Sequence, residues 1–300
     1  MAQFSISDAA FTGFGIVRLK PAAVAIWVVA QLVVSGGVWV LLELRFGPLL
    51  QQISSLTVAQ SQDPARAMAL YRQLLPLDGY ATLFSLIFYS ILFATMNRAV
   101  LRPKDDAFGY IRIGADEFRQ LGLMLIFLLF GVGGAIVLVI VATMMAAVLG
   151  GGAPAAAAAL LIVLPLFLCA MVFCMVRFSL ASAQTFATKK IDVFGSWSLT
   201  KGQALPIFGA YLVAFCLSVV VTLLGAVVIL AARQAAGGQD MWDAMTGPQL
   251  SLAAFLAPAR IIQLVLSAAL GAISWPIVTT PAPAIYRAIV GDGAVRTVIV

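Results

Sequence analysis

Histidine is absent from the chain, and only 12 acidic residues and 3 cysteines occur in 300 positions. Without histidine there is no Ser-His-Asp hydrolase, no histidine-ligated metal and no zincin helix. Cys169, Cys174 and Cys216 fall inside long apolar runs, where they act as small apolar side chains; neither a disulfide nor a zinc site is expected. Thr200-Lys201-Gly202 lacks the upstream glycine spacing of a phosphate-binding loop. Charged residues make up 10% of the chain, against roughly 25% in soluble domains. No polar stretch is long enough to fold as a soluble module, which removes nucleic acid as a partner. The expectation is therefore no catalytic residue, no cofactor and no metal.

What is present is apolar: 63% of residues are hydrophobic and the mean hydropathy is +1.07. A helix rises 1.5 Å per residue and needs about 20 apolar residues to cross a hydrocarbon core of roughly 30 Å. Spans are expected near residues 22–42, 81–98, 121–149, 155–177, 205–231 and 261–289. The fold class is all-α, a polytopic transmembrane helical bundle of about six spans forming one integral membrane domain over 1–300. Residues 1–20 are polar and aromatic rather than a signal-peptide apolar run, so the first span is expected to be kept.

Six spans place the N-terminal segment, residues 99–120 and 178–204, and the C-terminus on one side. That side holds all of the 18 basic residues except Arg45, Arg66, Arg72, Arg233 and Arg260. The five exceptions are balanced by Glu43, Asp63, Asp78, Asp240 and Asp243, so the net charge of +6 belongs to the first side. The positive-inside rule makes that side cytoplasmic, with both termini inside a bacterial inner membrane. Its basic residues would attract anionic lipid headgroups at about 1 kcal/mol each.

Three segments on the basic side resemble one another, each leading into an odd-numbered span: Asp8-Ala-Ala-Phe11-Thr-Gly-Phe14, Asp106-Ala-Phe108-Gly-Tyr-Ile111 and Asp192-Val-Phe194-Gly-Ser-Trp197. Each joins an acidic residue to a large apolar pair at i, i+3, one face of a helix. The spacing predicts short interfacial helices N-capped by the acid, with Phe11, Phe14, Phe108, Ile111, Phe194 and Trp197 as interfacial anchors. The units would be residues 8–104, 105–190 and 191–300, either a threefold duplication or a chance likeness among amphipathic linkers. Each even-numbered span ends in an arginine, Arg98, Arg177 or Arg287. These arginines either anchor helix ends or gather into a ring contacting lipid phosphate.

On the other side, Asp63-Pro64 predicts a helix start that Pro76 ends, with Met68, Tyr71, Leu74 and Leu75 as its apolar face. Gly150 to Pro154 reads as a tight hairpin turn. Gly237-Gly238, Asp240, Trp242 and Asp243 read as a turn and an interfacial anchor. Gly131, Gly133, Gly134 and Ala155 to Ala159 suit close helix approach.

The run from Arg177-Phe-Ser-Leu-Ala to Ser196-Trp197-Ser-Leu-Thr-Lys201-Gly, with Ala284-Ile-Tyr-Arg287 near the end, resembles a group of bacterial six-helix inner-membrane proteins. That group includes the membrane domain fused to some glycerophosphodiester phosphodiesterases and the YciC-like proteins. The resemblance covers mainly the C-terminal half and implies a fold and a location. The phosphodiesterase domain itself is missing, so no catalytic residue carries over.

The centres of the six spans lack an ionisable residue, which a proton-coupled transporter usually needs. Span six holds Trp275, Pro276, Thr279, Thr280 and Pro281, where prolines remove backbone donors. This marks either a helix break lining a cavity or a packed kink in which the threonines bond freed carbonyls. The expected function is a non-enzymatic inner-membrane protein that contacts lipids or supports other membrane proteins or further copies of itself. The alternative is a transporter or flippase-like facilitator for a hydrophobic or amphiphilic substrate.

Overall fold

The computed structural model describes residues 4–54, 63–237 and 256–291; Asp240, Trp242 and Asp243 lie outside the described residues. Every regular element among the described residues is helical, and six helices are long and apolar enough to cross a membrane. In chain order, α1 covers Ile6–Leu19, α2 Pro21–Ser54 and α3 Pro64–Leu101. A 3-10 turn at Ala107–Tyr110 precedes α4 (Ala115–Val148), α5 (Gly152–Phe178), α6 (Ala181–Thr188) and α7 (Val193–Leu199). α8 (Ala204–Ala235), α9 (Pro258–Thr279) and α10 (Pro281–Val290) complete the fold. The first five spans are α2, α3, α4, α5 and α8, and α9 with α10 forms the sixth. The end holding α1, the 3-10 turn, α6, α7 and α10 is here the basal end, the opposite one the distal end.

Local chemistry sets the element boundaries. A residue before proline avoids the helical region, so Lys20 (φ −126, ψ 59) closes α1 and Pro21 opens α2. Asp63 accepts from the Ala65 amide at 3.0 Å with Pro64 in the first turn, the expected N-cap of α3. Gly150, Gly151 and Gly152 all take positive φ to turn α4 into α5. Pro76, however, does not end a helix: it lies inside α3, which runs unbroken for 38 residues. The proline removes one backbone bond, whereas breaking there would expose several more at the edge of the membrane. Met68, Tyr71 and Leu75 are thus exposed on the distal turns of α3 rather than on a separate helix. At 1.5 Å per residue α3 is roughly 57 Å long, well beyond a bilayer core of about 30 Å.

The three resembling segments take different forms. α1 is a 14-residue helix capped by Ser5, whose side chain accepts from the Asp8 amide, so Asp8 sits in the first turn instead of capping it. Asp106 makes no capping bond, and Phe108, Gly109 and Tyr110 are left-handed, so Phe108 and Ile111 do not share a helical face. Only Asp192 caps as expected, accepting from the Gly195 amide at 2.8 Å. The acidic positions match; competing caps and the backbone at Gly109 decide each local structure.

The spans pack unequally. α8 runs closely along α9, α4 along α5, α2 along α9 and α3 along α4, while the consecutive α2 and α3 touch at few positions. Contacts of α3 with α9 and of α5 with α8 are also sparse. The spans therefore form two groups of three, α2 with α8 and α9, and α3 with α4 and α5. The groups are tied at the basal end, where Ala94 to Leu101 are all buried and Leu180, Phe186, Ile207 and Ile285 form the main core with Ala9. Of the small residues, Gly134 meets Phe167 and Met171, and Ala155 and Ala159 are buried, whereas Gly131 and Gly133 face open space.

Candidate lipid-contacting surface and interior cavity

The basal aromatic residues divide into outward and inward members. Phe11, Phe108 and Phe194 are 50%, 75% and 69% exposed. Phe14, Ile111 and Trp197 are less exposed, Ile111 packing beside Trp27 and Trp197 beside Phe173 and Phe178. The left-handed backbone explains the exposure of Phe108. It turns the Gly109 carbonyl to accept from Trp27 Nε1 at 2.6 Å and the Tyr110 carbonyl to accept from Arg98 Nη1 at 2.5 Å. Gly109 itself is close to the Ala23 carbonyl and Ile26, so the turn closes directly on α2. Trp27→Phe leaves that buried carbonyl without its donor; the expected loss of stability is about 1–3 kcal/mol, read from thermal unfolding in detergent.

Beside this turn Lys20 Nζ donates to Asp106 at 2.9 Å. The hydrogen bond from Lys20 holds the Asp106 carboxyl below the usual carboxylate range, and the same bond holds the Lys20 ammonium above its ordinary value. The contribution is present at neutral pH and is lost as acid takes the medium down through the depressed Asp106 pKa, or as base passes the raised Lys20 pKa. Both groups are exposed, so salt screens the pair.

The three span-ending arginines have separate partners. Arg98 is 2% exposed, and its Nη2 donates to Glu117 Oε1 at 2.7 Å. Asp116 lies 3.8 Å from the same nitrogen and 3.6 Å from Arg102, and it accepts from Arg119 at 2.6 Å. The Phe186 ring lies under both guanidinium groups, 4.7 Å from Arg102 and 5.5 Å from Arg98. Next to them Asn97 donates to Ser182 Oγ, which donates to Gln120, each at 2.9 Å. Arg98 therefore belongs to an internal ion-pair network: buried with both terminal nitrogens engaged, it cannot serve as a phosphate contact. Arg177 lies 4.6 Å over the Trp197 ring, its Nε buried without a hydrogen-bond partner among the described residues. Arg287 is exposed and reaches the Val100 carbonyl at 3.5 Å, at the last turn of α3.

Span six does break. Thr280 separates α9 from α10, and Pro281 opens α10. The Thr279 and Thr280 hydroxyls donate to the Trp275 and Pro276 carbonyls, each at 2.7 Å, and both residues are buried. An interior cavity of about 170 Å3 lies among α2, α3 and α9, lined by Trp27, Gln31, Phe88, Thr95, Ala272 and Trp275. Of the five residues expected to line it, Trp275 alone does so. Pro276, Thr279, Thr280 and Pro281 are packed, because the threonines satisfy the carbonyls of their own helix and Pro276 is covered by α1. Thr95 Oγ1 is buried there without a hydrogen-bond partner among the described residues.

No family model, no curated protein and no solved structure matches the chain.

Two features escaped sequence reasoning. α6 was part of an unassigned basic-side linker, yet Ala181 to Ala187 are all buried. Its small polar residues, Ala181-Ser-Ala-Gln-Thr-Phe-Ala187, carry no charge between Arg177 and Lys189, and that gap was the available signal. Glu117 was the other: with Asp116 it forms an acidic pair in the first turn of α4, just ahead of the apolar run that hydropathy counting detects. Among the described residues, no group of three His, Cys, Asp or Glu side chains is arranged to hold a metal.

Proposed function

We propose that the protein is a non-enzymatic, multi-pass inner-membrane protein whose basal face is cytoplasmic and contacts anionic lipid headgroups, alone or with a membrane-protein partner. The observation that carries this reading is the exposure of Phe11, Phe108 and Phe194 at one end of the bundle, where Arg18, Lys104, Lys189, Lys190 and Lys201 also lie. Aromatic residues at headgroup depth and cations beside them are the two components of interfacial attachment. Burying a phenylalanine is worth about 1.5–3 kcal/mol, and each nearby cation adds about 1 kcal/mol on an anionic surface. The test is lipid retention by purified protein from mixed nanodiscs. Anionic lipid should be enriched over neutral lipid, and Phe11→Ser, Phe108→Ser and Phe194→Ser together should abolish most of the enrichment. Equal retention of anionic and neutral lipid, with no crosslinked partner, would sink the reading.

The interior cavity supports a second reading, a facilitator for a hydrophobic or amphiphilic substrate. Ala272→Cys and Thr95→Cys, which place a thiol on its wall, should be labelled in a substrate-dependent way; protection in every condition would count against it.

A further inference from the structure

α3 carries another polar pattern, away from the basal network. Asp78, Thr82, Ser85 and Tyr89 recur at helical spacing and share one face. They line an open groove of about 420 Å3 between α3 and α4, closed on the far side by Met124 and Leu128. Among the described residues, none of these four side chains has a hydrogen-bond partner. From Asp78 to Tyr89 the stripe is roughly 16 Å long, about half the thickness of a hydrocarbon core of ~30 Å. With Arg98 at the basal boundary, Asp78 falls at the distal boundary and Tyr89 near the midplane. The stripe stops there: the Tyr89 ring meets Trp275 at 5.4 Å, and Trp275 also meets Phe88 at 6.1 Å and walls the interior cavity.

Polar groups at that depth need water or another polar group to satisfy them. An open groove at that depth admits a lipid headgroup while the lipid's chains stay in hydrocarbon. Among the described residues, Asp78 is the sole ionisable group of acidic or basic type lining the groove, and its charge selects the headgroup. A net-anionic headgroup is repelled, and a quaternary ammonium has no N–H to give. A primary ammonium offers three donors to a carboxylate and the hydroxyls beside it. We propose that the groove between α3 and α4 binds the primary-ammonium headgroup of an aminophospholipid. It draws that headgroup from the distal boundary toward the midplane, where Tyr89 and Trp275 stop it. The proposal shares with the function above only the placement of the helices in a membrane, since its residues lie at the opposite end from the basal phenylalanines.

The test uses the whole protein in nanodiscs of equal phosphatidylethanolamine, phosphatidylcholine and phosphatidylglycerol, with retained lipid measured by mass spectrometry. Hydrogen bonds to a charged partner predict enrichment of phosphatidylethanolamine over phosphatidylcholine by about tenfold. Asp78→Asn alone, and Thr82→Val with Ser85→Val, should each bring that ratio close to the bulk value with unchanged thermal unfolding. The triple phenylalanine variant should leave it intact. Equal retention of the two lipids, or a ratio unmoved by both groove variants, overturns the proposal. A Ser85→Cys thiol should react with a water-soluble maleimide more slowly in phosphatidylethanolamine than in phosphatidylcholine; equal rates mean a merely hydrated crevice and also overturn it.

Discussion

Glu117→Leu is expected to cost about 3–5 kcal/mol, the penalty for leaving one member of a buried ion pair without the other. Arg98 and Glu117 are 2% and 4% exposed and 2.7 Å apart, so water cannot replace the lost carboxylate. Asp116 compensates only in part, because it lies 3.8 Å from Arg98 and is shared with Arg102 and Arg119. The double variant Arg98→Met with Glu117→Leu removes both charges, and apolar replacement of a whole buried pair is often neutral or stabilising. It should therefore recover most of the loss. Asp105→Asn, which breaks the exposed pair with Arg112, should move stability by less than about 1 kcal/mol. Thermal unfolding in detergent, followed by tryptophan fluorescence, separates these cases. A Glu117→Leu protein as stable as the parent would mean that the pair has no energetic role.

Such a result also bears on what the basal end can do. The Arg98 network joins α3, the turn before α4, and α4 itself, and through Phe186 it reaches α6. It fixes the basal ends of one group of spans. Within the membrane the two groups meet at few positions, chiefly where Phe88 and Tyr89 reach Trp275, so the basal end acts as the clamp from which both extend. The interior cavity and the α3–α4 groove both lie on the distal side of this clamp.

The spans were legible because an apolar run of about 20 residues has few alternatives to a membrane helix. The location of partners was not. Hydropathy assigns Arg98 to a helix end, and a snorkelling arginine and a buried, paired one have the same sequence context; only the return of α4 beside α3 brings Glu117 to it. Pro76 misled for a related reason: a rule learned from helices in water overstates the cost of continuing through proline when stopping would expose more backbone to lipid. At the resembling segments, Asp192 caps a helix because no better cap precedes it, whereas Ser5 takes that role ahead of Asp8. The break in span six was legible from its prolines. That Thr279 and Thr280 would bond their own helix rather than face a cavity depends on side-chain direction, which composition does not show.

Gly13→Ala should have an effect far beyond one methyl group. A Cβ at Gly13 would sit 2.5 Å from the Pro276 carbonyl oxygen and 2.6 Å from the Ile277 backbone nitrogen and Cα. These are main-chain atoms in a stretch stiffened by Pro276 and Pro281, so no rotamer change can make room. Overpacking costs typically about 1–3 kcal/mol and more when the backbone must move. Here the outlet is for α1 to lift away from α9, uncovering Ala9 and Ala10, which are 5% and 0% exposed. Trypsin cleavage after Arg18 in reconstituted protein should then speed up markedly; the Lys20–Pro21 bond is itself resistant. Gly15→Ala is the matched control: nothing lies within 4 Å of its Cβ position, and alanine in a helix interior is favoured over glycine by roughly 0.5–1 kcal/mol. That variant should be cleaved no faster than the parent. Because α1 carries Phe11, lifting it also misplaces one of the three exposed phenylalanines, so Gly13→Ala should weaken anionic-lipid retention while phosphatidylethanolamine enrichment at the distant groove persists. Equal cleavage of the two glycine variants would show that α1 is not held by this contact.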